Sequence, residues 1–100
     1  MKLVWAPSAI GDIAQLHDFL KSKDPDAARR AAGAIRQGVR ILADHPRAGR
    51  PVEELSSDFR EWPIRFGSGA YVALYRLEAT EIVIVAVRHS REAGYVSPLP

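Results

Sequence analysis

The sequence predicts an α+β fold in which two helices pack on one face of an antiparallel sheet. Three observations support this: a short apolar segment opens the chain, apolar residues then recur at helical spacing, and from Phe59 onward the apolar period changes to two. A chain of one hundred residues is long enough to bury a core as one domain, and the absence of cysteine excludes a disulfide framework. We expect a single domain over residues 1–100, with 96–100 as a frayed tail.

The first element is a short strand, "KLVW", and a helix follows it. Pro7 and Ser8 mark the helix start, and Ser8 is the predicted cap. The apolar stripe of this helix comprises Ile10, Ile13, Leu16 or His17, and Leu20. The opening segment has one lysine and a short apolar run broken by Pro7, so we expect neither a signal peptide nor a membrane span, and a cytosolic protein.

A second helix begins at "DPD". Asp24 is a good N-cap, Pro25 suits the first helical position, and Asp26 favours the positive end of the helix dipole. The apolar stripe of this helix comprises Ala28, Ala32, Ile35, Val39 and Leu42. The two helical segments therefore form a predicted hairpin with a tight turn.

The C-terminal half predicts a loop and then a β-meander. "ADHPRAGRPVEELSSD" has no periodicity and is expected to be a loop. The strands are "FREWPIRF", "AYVALYRL" and "EIVIVAVRH", and Pro63 places the first of these at an edge or a bulge. The last strand is apolar on both faces until Arg88, so it should be central. No helix follows Gly67 and Gly69, which makes them turn residues and not a phosphate loop.

Net charge limits the classes of partner. The chain carries +2, from 14 basic and 12 acidic residues, which is too little for strong overall steering toward nucleic acid. Most of the basic residues are arginine, a side chain suited to carboxylates, phosphates and aromatic rings. His17 and His45 have no metal-ligand spacing, and Trp5 and Trp62 are expected in the core.

Four stretches resemble the RelE/ParE superfamily of toxins from bacterial toxin–antitoxin modules. They are "LVWAPSAIGDIAQLHDFL", "DPDAARRAAGAIRQGVRILADHPRAGRP", "FREWPIRFGSGAYVALYRL" and "IVIVAVRHSREAGY". The resemblance covers nearly the whole chain, from about Lys2 to Tyr95, and it rests on the order and spacing of the stretches. It implies the predicted α+β fold and a cognate antitoxin as partner.

The resemblance implies one of two activities. RelE-like members cut mRNA in the ribosomal A site, whereas ParE-like members poison DNA gyrase and lack a recognised nuclease site. A nuclease needs a base, an acid and cations around the phosphate. In that reading, the catalytic candidates are Arg65, His89, Arg91 and Tyr95. The helical hairpin and "HPRAGRP" look more like the ParE branch, while "IRFGSGAYVALY" and Tyr95 also fit the RelE branch.

The same strand end also fits protein docking. The candidates for binding a target protein are Arg88, His89, Arg91 and Tyr95. Val87 and His89 share one face of the strand and Arg88 lies on the other, so these basic residues cannot all enter one pocket. We expect a gyrase-binding toxin, neutralised by an antitoxin in a hetero-oligomer. The alternatives are a ribosome-dependent mRNA endonuclease and a non-toxic antitoxin-binding module. No cofactor, metal or membrane contact is expected.

Overall fold

The computed structural model of the chain describes residues 1–91 and confirms the predicted α+β class. The elements are β1 (Lys2–Trp5), α1 (Pro7–Lys21), α2 (Pro25–Gly38), α3 (Ile41–Asp44), β2 (Arg50–Pro51), β3 (Phe59–Phe66), β4 (Gly69–Leu77) and β5 (Glu81–His89). Within the described residues, five strands form one sheet in the order β1-β5-β4-β3-β2. Strand β1 runs parallel to β5, and the other neighbours are antiparallel. The hairpin of α1 and α2 packs on one face of this sheet.

The two long helices begin in different ways. The Asp24 carboxylate accepts the backbone N–H groups of Asp26 at 3.0 Å and Ala27 at 3.2 Å, which confirms it as the cap of α2. The prediction of Ser8 as the cap of α1 is wrong. Pro7 occupies the first helical position, so the cap position falls on Ala6, whose side chain makes no capping hydrogen bond.

Ser8 instead helps α1 to cover the edge of the central strand. Strand β1 pairs with β5 only as far as Ile84. Beyond that point the Ser8 hydroxyl donates to the carbonyl of Val85, and the Asp12 carboxylate accepts the backbone N–H of Val87 at 2.9 Å. Ser8 and Asp12 are one turn apart and therefore lie on the same side of α1. Helix side chains thus take over from β1 in satisfying the backbone of β5.

The main core lies between the helices and the sheet. The predicted stripe of Ile35, Val39 and Leu42 is fully buried in one cluster with Ile82 and Ile84 of β5. The other sheet face has a smaller cluster of Leu74, Val83, Val85 and Ala86, against which the partly buried Ala6, Val52, Leu55 and Phe59 pack. Strand β5 is therefore central and covered on both faces, as its apolar sequence predicts.

An irregularity in β5 explains how Val85 and Ala86 join the same cluster. Leu74 of β4 faces Ala86, but the next residue, Tyr75, faces Ile84. One extra residue is therefore inserted in β5, which shifts the alternation of its side chains. Val87 returns to the helix-covered face, so the predicted placement of Val87 and His89 opposite Arg88 is confirmed.

Four further details differ from or refine the sequence prediction. The predicted second helix, whose stripe runs to Leu42, ends at Gly38, and Leu42 lies in the separate short helix α3. The predicted loop contains the last two residues of α3 and the two-residue strand β2. Ile10 does not join the apolar stripe of α1, because its side chain points away from the sheet and is 56% exposed. Pro63 lies on the part of β3 that β2 does not reach, consistent with a predicted edge position. No helix among residues 1–91 is long and apolar enough to cross a membrane.

Candidate functional site

Arg88, a predicted docking residue, is engaged inside the protein. Its Nη2 atom lies 3.4 Å from Oε2 of Glu61, and the Glu61 Oε1 atom lies 3.1 Å from Nη2 of Arg50. The side chains of Arg88 and Glu61 are only 15% and 10% exposed, whereas that of Arg50 is 77% exposed. One nearly buried carboxylate therefore holds two arginines on the helix-free face of the sheet. An anion approaching Arg88 would meet the negative charge of Glu61 at close range.

His89 lies on the opposite, helix-covered face. Its ring meets the ring of Tyr71 edge-on, with centroids 5.4 Å apart. Its Nδ1 atom accepts the backbone N–H of Arg91 at 3.1 Å, so Nδ1 acts as an acceptor and the ring is fixed at the end of β5. A side chain at Gly69 would place Cβ 3.3 Å from the His89 Nε2 atom, so the absence of a side chain there leaves room for the ring.

The remaining candidates do not gather around His89 within the described residues. Arg65 is exposed near the end of β3 and alternates with Ile64 and Phe66, which face the helices, so its side chain lies on the helix-free face. Arg91 is exposed just past β5. Tyr95 lies outside the described residues. The structure therefore separates Arg65 and His89 by the thickness of the sheet.

A buried tyrosine, which no local sequence pattern indicates, fixes the "HPRAGRP" segment. The hydroxyl of fully buried Tyr75 donates to the carbonyl of Pro46 at 2.7 Å and accepts the backbone N–H of Gly49 at 2.9 Å. Burial raises the pKa of Tyr75 above its ordinary value of 10.0, and the hydrogen bond from Gly49 and the charge of Arg60 partly oppose this. The neutral hydroxyl is therefore the form that the fold favours.

The structure explains why a glycine and an arginine occupy positions 49 and 50 of this segment. A Cβ at Gly49 would lie 2.5 Å from the Glu61 carbonyl oxygen and 2.6 Å from the Tyr75 hydroxyl, so only glycine fits without a shift of the backbone. Arg60 Nη1 donates to the Gly49 carbonyl at 2.7 Å. Arg50 follows Gly49 directly and pairs with Glu61 across the β2–β3 ladder. Part of the motif that resembles the toxin superfamily thus positions the arginine of the Glu61 network.

The fold is that of the small toxins of the RelE/ParE type. The family model described as "ParE toxin of type II toxin-antitoxin system, parDE" matches residues 3–94. The chain therefore belongs to the ParE toxin family of type II toxin–antitoxin systems.

Named relatives and solved structures agree with this assignment. Toxin RelE3 of Caulobacter vibrioides is 36% identical over 86 residues, which cover 86% of this chain and 90% of the relative. The putative toxin Y4kP of Sinorhizobium fredii is 28% identical over 91% of this chain and 90% of the relative. A chain of the chromosomal ParDE system from P. aeruginosa superposes with a TM-score of 0.72 at 25% identity, covering 89% of this chain and 95% of the other.

The fold is also shared with the toxin of a RelBE complex. A chain of the RelBE2 toxin–antitoxin complex from Mycobacterium tuberculosis superposes with a TM-score of 0.62 at 24% identity, covering 88% of this chain and 95% of that one. At this identity the likeness concerns the fold alone.

Among residues 1–91, no group of three His, Asp or Glu side chains is placed to hold a metal ion.

Proposed function

We propose that this toxin arrests growth by binding and poisoning DNA gyrase, and that a cognate antitoxin neutralises it in a hetero-oligomer. The matched family model is that of the ParE toxins of parDE modules, and the similar P. aeruginosa chain comes from a ParDE system. These support a toxin with an antitoxin partner. The choice of gyrase over the ribosome rests on the geometry of the sheet end.

The observation that carries the choice is the Glu61 carboxylate between Arg50 and Arg88. Cleavage of RNA builds negative charge on the scissile phosphate, and cations that are not already neutralised must face it. Here the nearly buried Arg88 already faces a carboxylate at 3.4 Å. The acid–base candidate His89 lies on the opposite side of the sheet from Arg65 and Arg88. This arrangement supports contact with a protein more than phosphate chemistry.

The acidic loop gives the same preference. Between Arg47 and Arg60 the chain has Glu53, Glu54 and Asp58, all exposed, and no lysine. The resemblance implies lysines at this place in the nuclease branch. Exposed carboxylates beside the sheet lower the local potential and repel the backbone of an RNA.

The docking surface that we propose is formed by the exposed arginines at this end of the sheet. Arg65 and Arg91 are exposed, and so is most of the Arg50 side chain. Arginine is enriched among residues that dominate the binding energy of protein interfaces. His89, Arg88 and Tyr95 stay predicted members of this surface, with Arg88 acting through the position of its neighbours.

A ribosome-dependent mRNA endonuclease is the second candidate. The observation in its favour is the relative with 36% identity, whose name places it with RelE toxins. Arg65 and Arg88 also lie on one sheet face, as two phosphate clamps would. A module that binds an antitoxin without being toxic is the third candidate.

Two measurements on induced cells and purified protein separate these candidates. We expect the purified chain to inhibit supercoiling by gyrase, and we expect primer extension on transcripts from induced cells to show no new cuts. Cuts at fixed codon positions, with gyrase unaffected, would replace the gyrase proposal with the nuclease. Normal growth on induction, together with binding to the antitoxin, would leave the non-toxic module.

The partner is tested by co-expression. Antitoxins of such modules typically fold part of their chain on binding and wrap a large surface. We expect an adjacent small acidic reading frame to restore growth and to co-purify with this chain. High-yield, harmless expression of the chain alone would contradict the toxin proposal.

A further inference from the structure

The outer side of α2 carries more positive charge than the whole protein. Residues 25–40 contain four arginines and one aspartate, a local charge of +3. Because the whole chain carries +2, the other residues sum to −1. The small overall charge therefore hides a strong asymmetry, and a basic stripe on one helix is a footprint of polyanion binding.

The arginines of this helix form a continuous stripe. Arg29, Arg36 and Arg40 are all exposed and are seven and four positions apart, which places them on one side of the helix and of the turn that follows it. Arg30 lies beside the stripe and is 60% exposed. We call Arg29, Arg30, Arg36 and Arg40 the α2 arginine stripe.

Internal carboxylates neutralise only one end of the stripe. Asp26 pairs with Arg29 at 2.9 Å and with Arg30 at 3.0 Å. The ion pairs within residues 1–91 place no carboxylate on Arg36 or Arg40. The C-terminal half of the stripe therefore presents two guanidinium groups to solvent, and Asp26 reduces the effective charge of the other half.

The composition of the stripe favours a phosphate backbone over a protein. Most protein interfaces combine charged residues with a desolvated centre of apolar or aromatic residues. The residues between the arginines on this side are Gly33 and Gln37, neither of which supplies such a centre. Binding to a phosphodiester backbone needs only cations that displace counterions, and arginine pairs with phosphate through two parallel hydrogen bonds.

The length of the stripe fits a short piece of duplex. At 1.5 Å per residue, Arg29 and Arg40 are about 17 Å apart along the axis. One strand of duplex DNA places about five phosphates over that distance. We propose that the α2 arginine stripe binds the phosphate backbone of duplex DNA independently of sequence. The contact does not depend on which target the toxin inhibits; if the target is gyrase, it holds the toxin beside the DNA that gyrase carries.

The test measures binding of the purified chain to a labelled 20-base-pair duplex of arbitrary sequence, by fluorescence anisotropy, at salt concentrations from about 50 to 200 mM. The four arginines less the charge of Asp26 correspond to about three phosphate contacts. Three contacts give a slope of log affinity against log salt of about −3. In Arg36→Gln/Arg40→Gln we expect the slope to fall in magnitude by about 2. The control Lys2→Gln/Lys21→Gln removes the same charge from exposed positions elsewhere and should keep the wild-type slope.

A variant of opposite sign sharpens the test. Asp26→Asn releases Arg29 and Arg30 and should tighten DNA binding several-fold at low salt, whereas Asp18→Asn, an equal charge change on the exposed side of α1, should not. Circular dichroism verifies that each variant is folded. Equal slopes for the arginine and lysine double variants would overturn the proposal. So would a tenfold preference for duplex RNA, or displacement of the DNA by poly-glutamate at equal charge concentration.

Discussion

The two faces of the sheet are built by different means. The helix-covered face is filled with apolar side chains, among which Ile35, Leu42 and Ile84 are fully buried. The helix-free face has a small apolar cluster and, directly across from its member Leu74, the nearly buried Glu61 with Arg50 and Arg88. The first face gives the fold its stability, and the second fixes the charges that a partner or substrate would meet.

The two faces differ in how strongly they depend on particular residues. Apolar packing tolerates exchange of one apolar core residue for another, because a side chain of the right size fills the same space. A buried carboxylate between two arginines is specific, because removing either partner leaves a charge in a poor environment. The question of target therefore rests on one polar network and not on the shared fold.

The largest expected effect is on the helix-covered face. Ile35→Asp places a charge where the native side chain is fully buried, at a cost on the order of 4 kcal/mol. We expect loss of cooperative unfolding by circular dichroism, and loss of toxicity with it. Gln37→Asp puts the same side chain on the exposed side of α2 and should cost less than about 1 kcal/mol. A folded and toxic Ile35→Asp variant would show that the helices do not cover this face.

This face could be predicted from the sequence because its signal is periodic. The stripe through Ile35 and Leu42 steps by three and four residues, and the strands after Phe59 alternate. The inserted residue in β5, the pairing of Arg50 with Glu61 and the contacts of Asp12 could not be predicted. Each depends on two segments far apart in sequence, and nothing local specifies which residues meet.

A smaller effect is expected on the helix-free face. Glu61→Gln keeps the shape of the side chain and removes the negative charge that faces the nearly buried Arg88, which should cost about 3 kcal/mol. Glu78→Gln is the matched control, because the Arg76–Glu78 pair is 39% exposed on both sides and should contribute less than about 1 kcal/mol. Chemical denaturation measures both. Equal effects from the two substitutions would show that the Glu61 network is not a structural element.

The buried tyrosine gives a prediction about pH. Tyr75→Phe removes hydrogen bonds to Pro46 and Gly49 and should cost about 2 kcal/mol. Because the folded-state pKa of Tyr75 is raised, its contribution to stability is complete below pH 10.0 and is lost as the pH rises through the folded-state value. Wild-type stability should therefore fall in strong alkali more steeply than that of Tyr75→Phe. Parallel unfolding curves above pH 10.0 would contradict this.

The candidate site was predicted in part. The sequence placed Val87 and His89 opposite Arg88, since alternation along a strand is a local property. Tyr75 and Gly49 were missed as members of the site, although Gly49 lies in a motif that the resemblance used. A glycine between two prolines reads as turn chemistry, and only the folded chain shows that Tyr75 and Glu61 fill the space of its missing side chain.

We propose that the strand end acts by contact and not by proton transfer. The most direct test is gyrase supercoiling titrated with wild type and with His89→Gln/Tyr95→Phe, beside primer extension on transcripts from cells induced for each. A general acid or base contributes about 10²–10⁴ in rate, whereas these near-isosteric changes cost a docking surface little. We expect both proteins to inhibit gyrase at concentrations within about threefold of each other, about 0.7 kcal/mol, and to leave transcripts intact. Transcript cuts made by wild type and absent from the double variant, with gyrase unaffected by either, would contradict the account.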